Sequence, residues 1–443
     1  MGATPIQPAE AAATPPAIQR AAAPTPGRPN VVVILTDDQT VGTLDVMPNV
    51  RKLIMRRGAA IRNGIIPTPL CCPSRASLLT GQHSHTTGVW TNDPENFGAW
   101  PAFQVHEDHT LATALDARGY RTGLFGKYLN AWSGTVPPGW DVFRSFTLPR
   151  YFDYQLEGTG EPVYYGDNES DYSTDVLADL AVDFLAQSSR PAFVWFTPFG
   201  SHWPLTPAPR HEGTLPPADV TEVAAFNEAD VSDKPKWIRR PKLDIEEQQL
   251  KLTRQRETLL AIDEAVGRLV RTAAGEPTLF VFLSDNGLMN GSHRLTGKDL
   301  PYDRSVRVPM GIRYTGVIPP SDPRRIVTNV DVTATILDVT GATLPNVEGI
   351  SLLSAKHPRH TVIEQTENTT DVGIHPAYCG IRTARYLYVE YDDHRGRELY
   401  DYATDPEELH NRAGNPHYRD QVKKYRQLAR QECRPRPPGF TWD

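Results

Sequence analysis

The stretch N-V-V-V-I-L-T-D-D, from Asn30 to Asp38, sets the frame of the fold. Val31 to Leu35 are five consecutive apolar residues, mostly β-branched, and such a run predicts a strand buried on both faces. It ends in Thr36-Asp37-Asp38, so two carboxylates stand at the strand's carboxyl end. Two later stretches repeat the design. AFVWFT, Ala192 to Thr197, leads through Pro198 to His202 and Pro204, and TLFVFLS, Thr278 to Ser284, runs into Asp285-Asn286-Gly287. Open α/β sheets build their sites at the carboxyl ends of their strands.

Outward from these runs the pattern alternates. Helical periodicity is expected at Met47 to Arg57 (closed by Gly58), from Pro73 onward, and at Thr110 to Arg118, Asp175 to Gln187, Ile245 to Ala274 and Asp331 to Thr340. Further strands are expected at Ala59 to Ile66 and Thr122 to Phe125. Strands alternating with helices predict an α/β domain, with a large, mostly parallel sheet flanked by helices. The last quarter reads differently. Thr361 to Glu364, Ala377 to Arg382, Tyr386 to Tyr391 and Arg397 to Tyr402 are short strands, the last two joined by His394-Arg395-Gly396, and a helix follows from His417 to Gln431. This predicts a small antiparallel sheet with one helix. The expected division is a tail over 1–29, a catalytic domain over 30–355 and a C-terminal subdomain over 356–443.

Composition excludes some classes of function. The 443 residues are 39% hydrophobic and 22% charged, with a formal net charge of −7 and both signs dispersed. No basic stripe of a nucleic-acid binder is visible, and no apolar run is long enough to span a bilayer. Met1 to Pro29 is rich in Ala and Pro and lacks the apolar segment of a signal peptide. It reads as a flexible tether on an exported protein, secreted or periplasmic, or else as a disordered tail. Cys379 and Cys433 could form a bridge suited to an oxidising compartment, or be two unrelated buried thiols.

Asp37, Asp38, Asp285 and Asn286 offer only oxygen ligands, which suits a hard cation, Ca²⁺ or Mg²⁺. Asp-Asp after a strand is by itself more often a turn or a cap; two such clusters at strand ends favour the metal. His202, beyond a strand end, is a candidate general acid or base, against the plainer reading of a packed surface residue. L-C-C-P-S-R-A-S-L-L-T-G, Leu70 to Gly81, is the most specific feature. A helix start binds anions, Arg75 adds a fixed charge for a tetrahedral oxyanion, and a cysteine there is expected to have a lowered pKa. The alternative is one buried thiol and a capped helix.

This segment resembles the signature of the sulfatase family, Cys-x-Pro-Ser-Arg followed by Thr-Gly, through Cys71, Pro73, Ser74, Arg75, Thr80 and Gly81. The resemblance extends over most of the chain from Asn30: RPNVVVILTDDQ, SDNG at Ser284 to Gly287, Gly126-Lys127, His202, Lys298 and the closing ELYDYATDPEELHN all fall in the family's order. It implies an alkaline-phosphatase-like fold and Cys71 oxidised to formylglycine by a formylglycine-generating enzyme, with Cys72 as packing. The implied metal set is Asp37, Asp38, Cys71, Asp285 and Asn286. One departure stands out: Leu129 occupies the family's usual histidine position. The Lys-Tyr-Leu-Asn form, Cys-Cys-Pro-Ser-Arg and Lys236-Trp237-Ile238-Arg239 resemble the glucosamine-6-sulfatase branch, leaving Asn130 or His85 to approach the nucleophile.

The function implied is hydrolysis of a small-molecule or glycan sulfate ester, with sulfated amino sugars suggested by the branch. Cys71, Arg75, Lys127, His202 and Lys298 form the catalytic set, and His202 would protonate the leaving alcohol. Loops 158–171 and 212–242 are expected to set specificity. The rivals are a phosphodiester or phosphonate monoester hydrolase using the same pocket, and a non-catalytic binder of sulfated glycans.

Overall fold

The computed structural model describes residues 28–356, 359–370, 373–392 and 394–442, so positions 1–27 of the expected tail lie outside the described residues. The strands in chain order begin with β1 (Asn30–Thr36), β2 (Ala59–Ile61), β3 (Asn63–Ile65), β4 (Arg121–Gly126) and β5 (Val142–Phe146). They continue with β6 (Tyr154–Gly158), β7 (Val163–Tyr165), β8 (Ala192–Thr197), β9 (Thr278–Ser284), β10 (Met310–Tyr314) and β11 (Ile326–Thr328). Nine of them form one sheet in the order β2-β10-β9-β1-β8-β4-β5-β6-β7.

The centre of this sheet is parallel. β1 lies between β9 and β8, with Thr36 opposite Ser284 and Ile34 opposite Phe196, and β4 pairs with β8 and β5. Both margins are antiparallel: β10 on β9 and β2 on β10, then β6 on β5 and β7 on β6. The large sheet flanked by helices expected from the sequence is therefore present, but it is evenly mixed and not mostly parallel, with four parallel pairings at its centre and four antiparallel ones at its margins.

Strand geometry explains the apolar run of β1. Successive side chains point to opposite faces. Val31, Val33 and Leu35 join a core with Leu78, Leu111 and Ile336, whereas Val32 and Ile34 join a second core with Leu177, Phe184, Ile262 and Leu269. Helices on both faces thus leave no position in β1 where a polar side chain would find water.

Two further expectations need correction. Residues 47–57 do not form one α-helix but a π segment (Val50–Ile54) and a 3₁₀ turn (Met55–Arg57), after a 3₁₀ turn at Thr43–Val46. Residues 59–66 split into β2 and β3 around Arg62, whose guanidinium turns outward to Asp322, and β3 pairs with β11 instead of joining the large sheet.

The small sheet follows as β12 (His360–Gln365), β13 (Asn368–Thr370), β14 (Gly373–His375), β15 (Tyr378–Thr383), β16 (Tyr386–Tyr391) and β17 (Arg397–Asp401). β12, β15, β16 and β17 form an antiparallel sheet in that order, and β13 and β14 form a separate hairpin. Helix Arg419–Glu432 lays Val422, Tyr425 and Ala429 on the sheet. A disulfide ties Cys379 of β15 to Cys433 at the helix end, with Cα atoms 6.5 Å apart, inside the usual range of about 4.4–6.8 Å. Among the described residues, no helix is long and apolar enough to cross a membrane.

Candidate active site

Four parallel strands deliver polar residues to one edge of the sheet: β1 to Asp37 and Asp38, β9 to Asp285 and Asn286, β4 to Lys127, and β8 to Thr197 and, through its loop, His202. Backbone bonds lock these ends together, from Asp37 N–H to Gly200 O (3.1 Å), Asp285 N–H to Thr36 O (3.1 Å) and Lys127 N–H to Thr197 O (2.8 Å). Gly126 makes the last possible. Its φ is 123°, and a Cβ there would lie 1.9 Å from the Thr197 carbonyl oxygen. Asp38 adopts φ 62°, uncommon for a non-glycine residue and frequent at functional sites.

The fifth contribution is helix α1 (Cys71–Thr80), in which every residue is buried. Pro73 has no N–H to leave unsatisfied in the first turn, Asn92 accepts the Cys72 N–H at 2.9 Å, and Gly81 closes the helix at φ 74°. Thr333 and Asn329 of the helix Asn329–Thr340 donate to the Leu78 and Ser74 carbonyls, which fixes α1 against the core.

Charges of both signs meet there. Cys71 Sγ lies 3.5 Å from Asp37 Oδ1 and 3.0 Å from Lys298 Nζ, which also bonds Asp38 Oδ1. Lys127 Nζ donates to Asp37 Oδ2 at 2.5 Å. Arg75 donates to Asp285 (2.8 Å), the Lys127 carbonyl (2.6 Å) and Thr197 Oγ1 (2.8 Å), while its Nη2 stands 3.4 Å from Asp37. His202 Nε2 is 3.6 Å from Asp38, and its ring stacks on Phe199.

Burial alone would raise the Asp37 and Asp38 carboxyls. Lys127, His202, Arg75 and Lys298 reverse this for Asp37, and Lys298 and His202 for Asp38, so both are held below the ordinary range. Asp285 goes the other way, raised by burial and by Asp37. Burial also disfavours charge on Lys127 and Lys298, but Asp37 and Asp38 respectively outweigh it and keep both protonated. The expected lowering at Cys71 is overturned. Burial, with Asp37 and Asp285 nearby, pushes the thiol up to about 12 in spite of the two lysines.

A cation fits this set. Ligand atoms of Asp37, Asp38, Cys71 and His202 all lie within 4.8 Å of one another. Asn286 donates to Asp38 Oδ1 at 2.8 Å, and its own Oδ1 is buried without a hydrogen-bond partner. Asp285 is more committed, one oxygen to Arg75 and the other to the Asp38 N–H at 3.1 Å.

Two residues expected to approach the nucleophile make their bonds elsewhere. His85 Nδ1 is held by Glu364 at 2.8 Å, its ring stacks on His83, and it lines a cavity of about 270 Å³ with Asp331, Glu348 and His360. It does not join the Cys71 cluster. Asn130 bonds Cys72 twice, its N–H to Sγ at 3.1 Å and its Oδ1 accepting from Sγ at 3.4 Å. Leu129 belongs to the apolar core. Thr197, the partner of Arg75, was missed, although its place at the end of AFVWFT is the signal that could have found it. Two cavities meet at Gly297 and Lys298. One of about 660 Å³ is lined by Leu70, Asn92, Phe97 and Gly439, and one of about 460 Å³ by Asp38, His202, Trp203 and Gln255.

Residues 29–342 match the family model described as Sulfatase, and residues 291–433 match one described as N-sulphoglucosamine sulphohydrolase, C-terminal. The extracellular sulfatase SULF-1 homologue of Drosophila melanogaster is 34% identical over 348 residues, covering 74% of this chain and 31% of the relative. The chain thus spans about a third of that relative's length. N-acetylglucosamine-6-sulfatase from Capra hircus is 29% identical over 488 residues, covering 94% of this chain and 87% of the relative. A structure solved in complex with its substrate, D-glucosamine-2-N,6-O-disulfate, matches the fold with a TM-score of 0.75 at 24% identity, covering 92% of this chain and 98% of that one.

Proposed function

The chain belongs to the sulfatase family, and from that premise we propose that it hydrolyses sulfate esters to an alcohol and inorganic sulfate, with sulfated amino sugars as the substrate class. The observation that carries this reading is the placement of Cys71 at a buried helix start, 3.0 Å from Lys298 and beside Asp37 and Arg75. The substrate class follows the N-acetylglucosamine-6-sulfatase relative.

Oxidation of Cys71 to formylglycine would supply an aldehyde whose hydrate carries the attacking hydroxyl. A Ca²⁺ or Mg²⁺ held by Asp37, Asp38, Asp285, Asn286 and residue 71 would offset the three carboxylates and act as a Lewis acid toward a sulfate oxygen. The chain's own residues do the remainder. Lys127 and Lys298, kept protonated by Asp37 and Asp38, would meet sulfate oxygens. Arg75 fixes Asp285 and Thr197 while adding positive charge next to the α1 N-terminus, where oxyanions are favoured. His202 lines the second cavity, where it could give a proton to the departing alcohol oxygen. The division at 355/356 would separate this machinery from the small sheet. Export to an oxidising compartment is supported by the Cys379–Cys433 bridge and by the extracellular relative.

The test is sulfate release from aryl sulfates, glucosamine 6-sulfate and its N-acetyl form, with phosphodiesters and phosphonate monoesters alongside. Peptide mass spectrometry reads the state of position 71. Sulfate release with an aldehyde at 71 is the expected result; preferred cleavage of a phosphodiester, or full activity with an unmodified thiol, overturns it.

A further inference from the structure

The end of the chain is predominantly basic. Between Arg419 and Arg436 there are seven Lys and Arg residues against two carboxylates, in a chain whose formal net charge is −7. The helix Arg419–Glu432 turns this into a surface. Its apolar residues Val422, Tyr425 and Ala429 face the small sheet. Arg419, Lys423, Arg426 and Arg430 recur at spacings of three and four, which places them along one stripe. Arg426 is satisfied internally by both oxygens of Glu390, and Arg430 lies over the Trp442 ring at 5.5 Å. Arg419, Lys423, Lys424, Arg434 and Arg436 are exposed.

The stripe runs into Arg434-Pro435-Arg436-Pro437-Pro438, where alternating prolines fix the backbone φ and limit the entropy lost when the arginines bind a ligand. This segment, with Cys433, Phe440 and Trp442, forms a groove of about 910 Å³. Gly439 lines both this groove and the 660 Å³ cavity that reaches Leu70 and Lys298. A basic surface therefore abuts the cavity that reaches Lys298, whose Nζ lies 3.0 Å from Cys71 Sγ. The Cys379–Cys433 disulfide anchors its start to β15.

We infer that this surface is an exosite for a linear polysulfated polysaccharide, which holds neighbouring sulfated sugars of the same chain while one sulfate ester sits at Cys71. The inference rests on the sulfate-ester reading above and deepens it: the substrate is a polymer and not a lone sugar. The exposed guanidinium groups of Arg434 and Arg436, next to the basic helix, complement sulfates repeated along a chain, and Arg forks suit tetrahedral oxyanions. The half-buried Trp442 ring at the same groove offers apolar surface for a sugar face.

The experiment compares full-length wild type with Arg434→Glu/Arg436→Glu and Lys423→Glu/Lys424→Glu, none of them in the catalytic cluster. Binding to a heparin decasaccharide is measured by calorimetry, and turnover on that polymer against a monosaccharide sulfate. Each charge-reversed pair is expected to weaken decasaccharide binding at least about tenfold near physiological salt, with a shallower salt dependence. The specificity constant for the polymer should fall in step, with monosaccharide turnover unchanged. Arg434→Lys/Arg436→Lys should retain most of the affinity, which separates charge from folding. Unchanged decasaccharide affinity in both reversed pairs overturns the inference. So does equal wild-type affinity for single-stranded DNA or phosphatidylserine vesicles, which would mark a generic polyanion surface. Binding needs no turnover, so a protein that binds the decasaccharide through these arginines yet releases no sulfate contradicts only the hydrolytic reading.

Discussion

Two buried polar clusters in this molecule are closed to water to the same degree and are built on different terms. At the edge of the large sheet, Asp37 and Asp285 are fully buried and meet Arg75 and Lys127 in a space shared with Cys71. In the seam between the large domain and the small sheet, Glu398 is 1% exposed and accepts hydroxyl bonds from Tyr302 (3.0 Å), Tyr391 and Tyr400 (both 2.5 Å). Both Glu398 oxygens are thus met. In the first cluster Asn286 Oδ1 and Arg75 Nη2 are buried without a hydrogen bond. A buried polar atom left unpaired costs about 1–3 kcal/mol, a cost that the proposed cation would relieve at Asn286 Oδ1. The seam is finished by folding, whereas under the proposed function the sheet edge is completed by a cation and a sulfate.

The largest effect should come from breaking the first cluster at its centre. Cys71→Ala is expected to lower turnover by about 10⁴-fold or more while leaving the fold intact. Cys72→Ala, one residue away and bonded to Asn130, should cost only about 1–2 kcal/mol of stability. Equal loss of activity in the two variants would place the nucleophile elsewhere.

Next come the lysines. Lys127→Ala or Lys298→Ala should each reduce turnover by about 10²–10³-fold, the scale for removing one preorganised donor. Each leaves a buried carboxylate with one fewer cation, so thermal stability should drop as well. Retained turnover in either variant would make that lysine a counterion only.

How far the sequence carried this picture depends on burial. β8 and β9 were read to the residue because strands covered on both faces must be apolar throughout. β5, β6 and β10 were not, because VFRSF, YQLEG and MGIRY sit toward the margins, where partly exposed positions carry Arg, Gln or Glu and break the run. The gathering of Asp37, Asp285, Arg75 and Lys127 around Cys71 was legible because strand ends and a helix start fix their residues by backbone geometry. His85 was misplaced because nearness in sequence to α1 says nothing of where a short following helix turns, and Glu364, from β12, captures it. The Glu398 cluster was invisible, since tyrosines in short strands look the same whether they face water or a buried carboxylate.

His202 is more exposed than the lysines and lines the second cavity, so its effect should depend on the substrate. His202→Ala is expected to slow an alkyl sugar sulfate by about 10²-fold and an activated aryl sulfate much less, because the aryl oxide departs without a proton. Equal slowing of both would make His202 a positioning group. A smaller and independent effect should follow from the cation: Ca²⁺ at a hundred times its dissociation constant should stabilise the protein by about 2.7 kcal/mol. Asn286→Ala should weaken that gain in thermal denaturation, whereas Glu398→Gln should leave it intact.

The smallest effect on catalysis belongs to Glu398 itself, and it tests whether the seam is purely structural. Glu398→Gln keeps an acceptor for the tyrosine hydroxyls, so the expected cost is about 1–3 kcal/mol of stability with turnover unchanged. The pH dependence has a definite sign. Burial raises the Glu398 carboxyl above its ordinary value, and the bonds from Tyr391 and Tyr400 offset this only in part. The folded protein therefore holds this proton to higher pH than the unfolded chain does. The resulting stabilisation is complete below the unfolded-state value and is lost as pH rises through the folded one. Glutamine has no proton to lose, so the stability of wild type relative to Glu398→Gln should fall as pH is raised from the acid side, as read by urea denaturation. A gap that widens with pH would mean that the tyrosines prefer the ionised carboxylate strongly enough to reverse the effect of burial, and the two clusters would then be alike in needing charge.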